Sequence, residues 1–260
     1  MNQNRRSNRG QNAALQESEQ LIAGRNPVLE SLCSDNLPDT IYLSGNNGVL
    51  RQISELAKEK GIPVKIVSES KLSQMTGNAN HQGAAASGSC GKYVSVDEIL
   101  EYAESIGEKP LIVICDEIQD PHNLGAIIRT AEAAGVHGVI IPKRRSASLN
   151  LTVGKTSAGA ASHMRVSRVS NLVMTMEKLK ENGVWIYGTD ASGSNYTDVD
   201  FKSGTAFVIG SEGFGIGRLV GEKCDAMLSL PMRGQVNSLN ASVAAGIFIY
   251  EAVRQRGSKQ

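Results

Sequence analysis

Three short segments near the end of this 260-residue chain carry residue types from which a ligand site can be built. The first, Ile209-Gly210-Ser211-Glu212-Gly213-Phe214-Gly215-Ile216-Gly217, is a glycine-rich loop with one acid, and it follows an apolar run at 206–209. The second is Leu230-Pro231-Met232, and the third is Asn237-Ser238-Leu239-Asn240-Ala241-Ser242-Val243-Ala244. Glycines let backbone N–H and C=O groups come close to a ligand, because no Cβ stands in the way. A Ser/Asn pair suits a helix N-terminus, where side-chain oxygens accept from free backbone donors. A helix from Ser238 to about Arg254 is therefore predicted. A fourth segment, Asp120 to Thr130, adds Asn123 and Arg129. These two are six residues apart, under two helical turns, so they need not share a face. His122 has no carboxylate beside it and reads as a hydrogen-bonded loop residue in place of a general base. Singly, Glu212 reads equally well as a plain loop acid and Ser238 as a simple helix cap. The ordered set is what points to chemistry.

Other chemistries are excluded by spacing. Gly154-Lys155-Thr156 resembles the end of a phosphate-binding loop, but that pattern needs a glycine where Leu149 stands. The Gly213-Phe214-Gly215-Ile216-Gly217 run lacks the third glycine of a dinucleotide fingerprint, since position 220 is valine, and it lies late in its domain. Cys33, Cys90, Cys115 and Cys224 are far apart and form no CxxC pair, and the four histidines are scattered. That predicts a reduced, cytoplasmic protein with neither disulfides nor a metal site. No apolar run is long enough for a membrane span, and the polar N-terminus lacks a signal peptide's apolar centre. A formal net charge of +1 argues neither for nor against nucleic acid.

The elements that must position these residues are legible from periodicity. Residues 1–20, rich in Asn, Gln, Ser and Arg, have little to bury and are expected to be disordered. From 21 to 93 helix and strand alternate as in a small α/β domain. Asn26-Pro27 reads as a helix cap and first turn, Thr40 to Leu43 and Ile62 to Val67 read as strands, and Val49, Leu50, Ile53, Leu56 and Ala57 form a helical stripe ending at Gly61. The stretch from Gly77 to Gly91, full of Gly, Ala, Ser and Asn, reads as a break. Ser95 to Glu98 is a capping box, and 94–107 is expected to be a linker. A second domain, 108–257, shows continuous apolar strands at Leu111 to Cys115, Val139 to Ile141, near Met164 to Val169, at Val184 to Tyr187, Ala206 to Ile209 and Met227 to Leu230. Such strands, with helices between them, predict a parallel sheet covered on both faces. With 4 % aromatics, its core is expected to rest on Val, Ile, Leu and Ala.

Asn123 with Arg129, Gly210 to Gly213, and Pro231-Met232 with Asn237 to Ser242 resemble the three motifs of the SpoU (TrmH-type) RNA 2′-O-ribose methyltransferases. Gly24-Arg25-Asn26-Pro27-Val28-Leu29-Glu30 and His81-Gln82-Gly83 resemble the N-terminal domain of the RlmB-like subgroup, which methylates a guanosine in 23S rRNA. The resemblance runs in order over about residues 21–256. It implies an α/β SPOUT-type catalytic domain with a C-terminal trefoil knot, an L7Ae/L30e-like RNA-binding domain, S-adenosylmethionine (AdoMet) bound in the knot, no metal, and a homodimer with the site at its interface. By position, Gly210, Gly213, Leu230 and Leu239 would contact the methyl donor, with Ile209, Met232 and Ser238 shaping the pocket. Asn123, Arg129, Glu212, Ser238 and Asn240 would be the polar active-site residues, with Glu212 fixing Arg129 or nearby backbone. An arginine keeps its proton in a protein, so Arg129 is expected to hold phosphate or developing alkoxide charge, not to act as a literal base. A tRNA-directed or resistance-conferring relative, and a non-catalytic L30e-like RNA-binding protein, are the alternatives.

Overall fold

The computed structural model describes residues 21–33 and 37–257, so the predicted tail at 1–20 lies outside the described residues. The chain forms two compact units. One reaches Cys90 and takes in Leu149–Thr152; the other holds Gly91–Ser148 and continues from Val153.

The first unit contains β1 (Leu21–Ala23), α1 (Arg25–Cys33), β2 (Ile41–Leu43), α2 (Gly48–Glu59), β3 (Val64–Ile66), α3 (Glu69–Met75) and β4 (Ala84–Ser87). Its sheet runs β1-β4-β2-β3. Leu50, Ile53 and Ala57 of α2 are buried and Val49 and Leu56 pack against the same core, as their spacing predicts. Two expectations need correction. Helix α1 begins at Arg25, so Asn26 lies inside it and does not cap it; Val28 N–H bonds back to Gly24 C=O at 3.1 Å. The supposed break at 77–91 contains β4, which pairs antiparallel with both β1 and β2. Ala84, Ala85 and Ala86 are fully buried there. Alanine has little intrinsic taste for strands, and pairing on both edges overrides that preference.

The second unit contains β5 (Tyr93–Val94), α4 (Val96–Ser105), β6 (Leu111–Cys115), α5 (Pro121–Ala133) and β7 (Gly138–Pro142). After the short helix α6 (Leu151–Thr156) come β8 (Val166–Val169), α7 (Leu172–Glu181), β9 (Val184–Asn195), β10 (Gly204–Ile209), α8 (Arg218–Gly221), β11 (Ala226–Ser229) and α9 (Ala241–Arg256). The sheet order is β11-β9-β10-β6-β7-β8-β5, and every registered pair is parallel. The capping box forms as read: Ser95 Oγ accepts from Glu98 N–H at 3.2 Å, and Glu98 Oε2 accepts from Ser95 N–H at 2.7 Å. Residues 94–107, however, are no linker. Val94 pairs with Ser167 of β8, and Val96 and Ile99 enter the main core. A capped helix with one apolar face must bury it, and the sheet supplies the cover.

On one face of the sheet Ile112, Ile114, Ile186 and Val208 pack against Leu172, Met176 and Leu179 of α7. The other face departs from expectation. Three of the four phenylalanines, Phe201, Phe207 and Phe248, are fully buried together there, with Phe207 and Phe248 ring centroids 5.7 Å apart. The scarce aromatics are thus concentrated under α9. Strand order reverses between β6 and β10, and in open parallel sheets ligands bind at the carboxyl ends of strands flanking such a switch.

Candidate active site

At that switch, β10 delivers its chain into the glycine-rich loop. Ser211 and Gly215 exchange backbone hydrogen bonds (3.0 and 2.9 Å), so the loop is a tight hairpin, with Gly213 and Gly215 at φ of +96° and +67°. Those left-handed values suit glycine and strain other residues. A Cβ on Gly210 would run into the backbone of Gly215 and Ile216, so this glycine is required by close approach, not by torsion.

Helix α9 opens at Ala241, later than predicted. Its cap is Asn240, whose Oδ1 accepts from Ser242 N–H at 2.9 Å; Ser238 lies before the helix and does not cap it. The same Asn240 spends both amide hydrogens elsewhere. Nδ2 donates to Asn123 Oδ1 at 2.9 Å and to Glu212 Oε1 at 2.5 Å. Asn123, buried in the first turn of α5, donates in turn to Glu212 Oε1 at 3.0 Å. Three residues separated by up to 117 positions thus close a ring of hydrogen bonds. Glu212 is fixed by two amides and not by Arg129, which corrects the expectation for that acid. Its Oε2 accepts from no donor among the described residues, and Glu212 is exposed.

Beside the ring lies a cavity of about 740 Å³. Ile209, Gly210, Gly213, Leu230, Met232 and Leu239 all line it, as do the polar Glu212, Ser238 and Asn240. Asn123 touches the cavity only through its partners, and Arg129 stands apart. Arg129 is exposed on α5 with no polar partner among the described residues. His122 is exposed in the first turn of α5; its N–H donates to the cap, Asp120, at 2.9 Å.

Sequence reasoning missed one wall. Strand β9 continues eight residues past its predicted end at Tyr187, reaching Asn195. Its pairing with β11 jumps from Met227↔Gly188 to Leu228↔Ser194, and the skipped residues include Thr189, Asp190 and Ala191, which line the cavity. A run of Gly, Asp and Ser reads locally as loop, and nothing in it signals the bulge. Ser192 donates to the Asp190 carboxylate from its hydroxyl and, at 2.8 Å, its N–H, which holds that carboxyl below the ordinary range. Two carboxylates, Asp190 and Glu212, therefore line a chamber whose other walls mix apolar side chains such as Leu228, Leu230 and Phe248 with the polar Thr189, Ser211 and Asn237. A size of several hundred Å³, with apolar surface beside convergent polar groups, suits a small-molecule site. Excess negative charge favours a cationic ligand. AdoMet, with its adenosine and its sulfonium, fits that description.

Among the described residues no group of His, Cys, Asp or Glu is placed to hold a metal ion, and no helix is long and apolar enough to cross a membrane.

Comparison with known proteins points the same way. Residues 110–250 match the SpoU rRNA Methylase family, and residues 21–89 match a domain described as RNA 2′-O ribose methyltransferase substrate binding. YacO of Bacillus subtilis (strain 168), named for the TrmH family of tRNA/rRNA methyltransferases, is 46% identical over 93% of this chain and 98% of its own. The SpoU methyltransferase AviRb of Streptomyces viridochromogenes, solved with the cofactor AdoMet, is 26% identical, covers 91% of this chain and 89% of its own, and superposes with a TM-score of 0.60. An AdoMet-bound rRNA methyltransferase of Sinorhizobium meliloti is 25% identical over 92% of this chain and 88% of its own, with a TM-score of 0.59. With a cavity at the carboxyl ends of β9, β10 and β11 and both domains matched along their length, the chain belongs to the SpoU rRNA methylase family and is an AdoMet-dependent RNA methyltransferase.

Proposed function

We propose that this enzyme methylates a ribose 2′-hydroxyl of RNA, that its target is a guanosine of 23S rRNA, and that it works as a homodimer with a trefoil-knotted catalytic domain. The observation that carries the reading is the Asn123–Glu212–Asn240 ring at the edge of the cavity. AdoMet, when bound, supplies a methyl group already activated by positive charge on sulfur. The methyl–sulfur bond breaks as the methyl–oxygen bond forms, the electron pair stays on sulfur, and the hydroxyl proton must leave. The chain's task is then to place the hydroxyl in line and to ease loss of that proton. Glu212 Oε2 is available to accept from the hydroxyl, held in direction by the two amides. Ser238, exposed at the cavity wall, is free to orient the ribose.

Arg129 supports the dimer. It points to solvent in one chain, and α9 exposes Val243 and Tyr250, apolar residues seven apart on one face. A second copy covering that face would bring its own Arg129 toward a cavity that has no Lys or Arg among its described lining residues. In the first unit, Arg25 Nε donates to the C=O of Gln82 at 2.8 Å, and Gln82 sits at a φ of +49°. His81 fixes the turn from inside, accepting from Gly83 N–H at 3.0 Å and bonding Ser73 Oγ at 2.8 Å. The two N-terminal motifs thus form one exposed polar edge, with Asn26 and Gln82 able to read splayed bases of single-stranded RNA. Lys143, Arg144 and Lys155 are exposed and suited to phosphate.

The test is to incubate the enzyme with radiolabelled AdoMet and with ribosomal or transfer RNA from a strain lacking the gene, then map the label. One labelled 2′-oxygen on a 23S guanosine is expected. Label on a base nitrogen would sink the ribose reading, and label confined to transfer RNA would move the target.

Asn240 offers a sharper local check. Asn240→Ala removes the cap of α9 and should cost about 1 kcal/mol of stability in urea unfolding. Asn240→Asp keeps the capping oxygen but loses both amide hydrogens and sets a carboxylate against Glu212, so single-turnover methyl transfer should fall at least as far as in the alanine variant. Equal activity in wild type and Asn240→Asp would show that Asn240 is only a cap.

A further inference from the structure

The loop 210–217 is closed near its tip by the Ser211–Gly215 bonds and tied to α5 and α9 through Glu212, which leaves the anchoring of its two ends to other groups. Its one large apolar side chain near the tip, Phe214, is 94% exposed, and two of its glycines have left-handed torsions. Asp116, the residue after β6, bonds both ends of it. The Asp116 N–H donates to Ile209 C=O at 2.8 Å, where the loop begins, and its Oδ2 accepts from Gly217 N–H at 2.7 Å, where the loop ends. The Asp116 side chain is buried, with no cationic partner among the described residues. Neighbouring titratable groups do not offset its charge: the Cys115 and Cys224 thiols are neutral, held well above the ordinary range by burial, and Glu117 forms an ion pair with Arg145 at 3.0 Å. Burial pushes the Asp116 carboxyl upward, and the bond from Gly217 opposes that. A lone buried carboxylate is costly, and what it gains here is a charge-assisted bond, stronger than a neutral acceptor would make.

We infer that Asp116 is a positioning residue for the methyl donor, a clamp that joins the end of β6 to both ends of the glycine-rich loop and so sets Glu212 and one wall of the cavity. This rests on the reading of that cavity as the AdoMet site. The clamp explains why an acid stands at the sheet's switch point without touching the cavity itself.

The test compares full-length wild type, Asp116→Ala and Asp116→Asn. The amide is isosteric and keeps an oxygen for Gly217 N–H. AdoMet Kd by calorimetry is expected to rise about tenfold in Asp116→Ala and about threefold in Asp116→Asn, the partial rescue reflecting a neutral acceptor. KM for RNA should stay within about twofold of wild type in both variants, because Asp116 bonds only the two ends of the loop and none of the groups assigned to RNA. Hydrogen exchange read by mass spectrometry should quicken at 210–217 in Asp116→Ala while β6 and β10 keep their protection. Unchanged AdoMet affinity would overturn the inference. Exchange that quickens equally over β6 and β10 would also overturn it, marking Asp116 as a general stabiliser. Failure of the wild type to bind AdoMet would overturn both this inference and the site reading beneath it.

Discussion

Arg129→Ala is expected to slow methyl transfer about a thousandfold while leaving AdoMet affinity within about twofold of wild type. The guanidinium carries a permanent charge, and charge develops on the ribose oxygen only as the reaction proceeds. An interaction realised mainly in the transition state lowers kcat and spares ground-state binding. Geometry adds a second expectation. Six residues of helix leave Arg129 about 120° around the axis from Asn123, and Asn123 faces inward to Glu212 while Arg129 faces solvent. The two side chains thus leave α5 on different faces within one chain. If Arg129 serves the partner's site, mixing inactive Arg129→Ala and Asn240→Ala proteins should regenerate intact sites in mixed dimers. Random exchange gives half mixed dimers with one working site each, so roughly a quarter of wild-type activity should return. No recovery after verified subunit exchange would place Arg129 in its own chain's site, and wild-type rates in Arg129→Ala would remove it from catalysis.

Gly210→Ala is expected to weaken AdoMet binding about a hundredfold, the scale of overpacking a closed site by one methyl group. The new methyl would overlap the Gly215–Ile216 backbone, which cannot swing aside as the end of a flexible side chain can. The hairpin would have to open, taking Glu212 out of reach of Asn123 and Asn240. Gly217→Ala is the control. Its φ of −60° and ψ of 142° suit alanine, and the nearest atom to an added Cβ is Asp116 Oδ2 at 3.2 Å. That variant should bind AdoMet within a few-fold of wild type. Calorimetric titration of both proteins decides the matter, and a Gly210→Ala protein that binds normally would mean the cavity wall is not where AdoMet sits.

Much of this molecule was written locally. The parallel core strands are nearly continuous apolar runs such as Leu111 to Cys115, and a segment buried on both faces can be little else. Ser95 and Glu98 cap α4 through three residues of sequence, and Gly61 stops α2 at a φ of +70°. The ordered motifs also marked most of the cavity wall, because glycines and a Ser/Asn pair signal close approach and free donors whatever surrounds them. Long-range pairing decided the rest. Ala84–Ala86 became a central strand because two neighbours offered hydrogen bonds, and Thr189–Ala191 became a cavity wall because β11 skipped a register. Glu212 found two amides in place of the arginine its motif suggested, since partners 89 and 28 residues away meet only once the sheet is built. Sequence determines which groups are available and what backbone they tolerate; which of them touch is settled by the register of strands far apart in the chain, where each contact depends on all the others being in place.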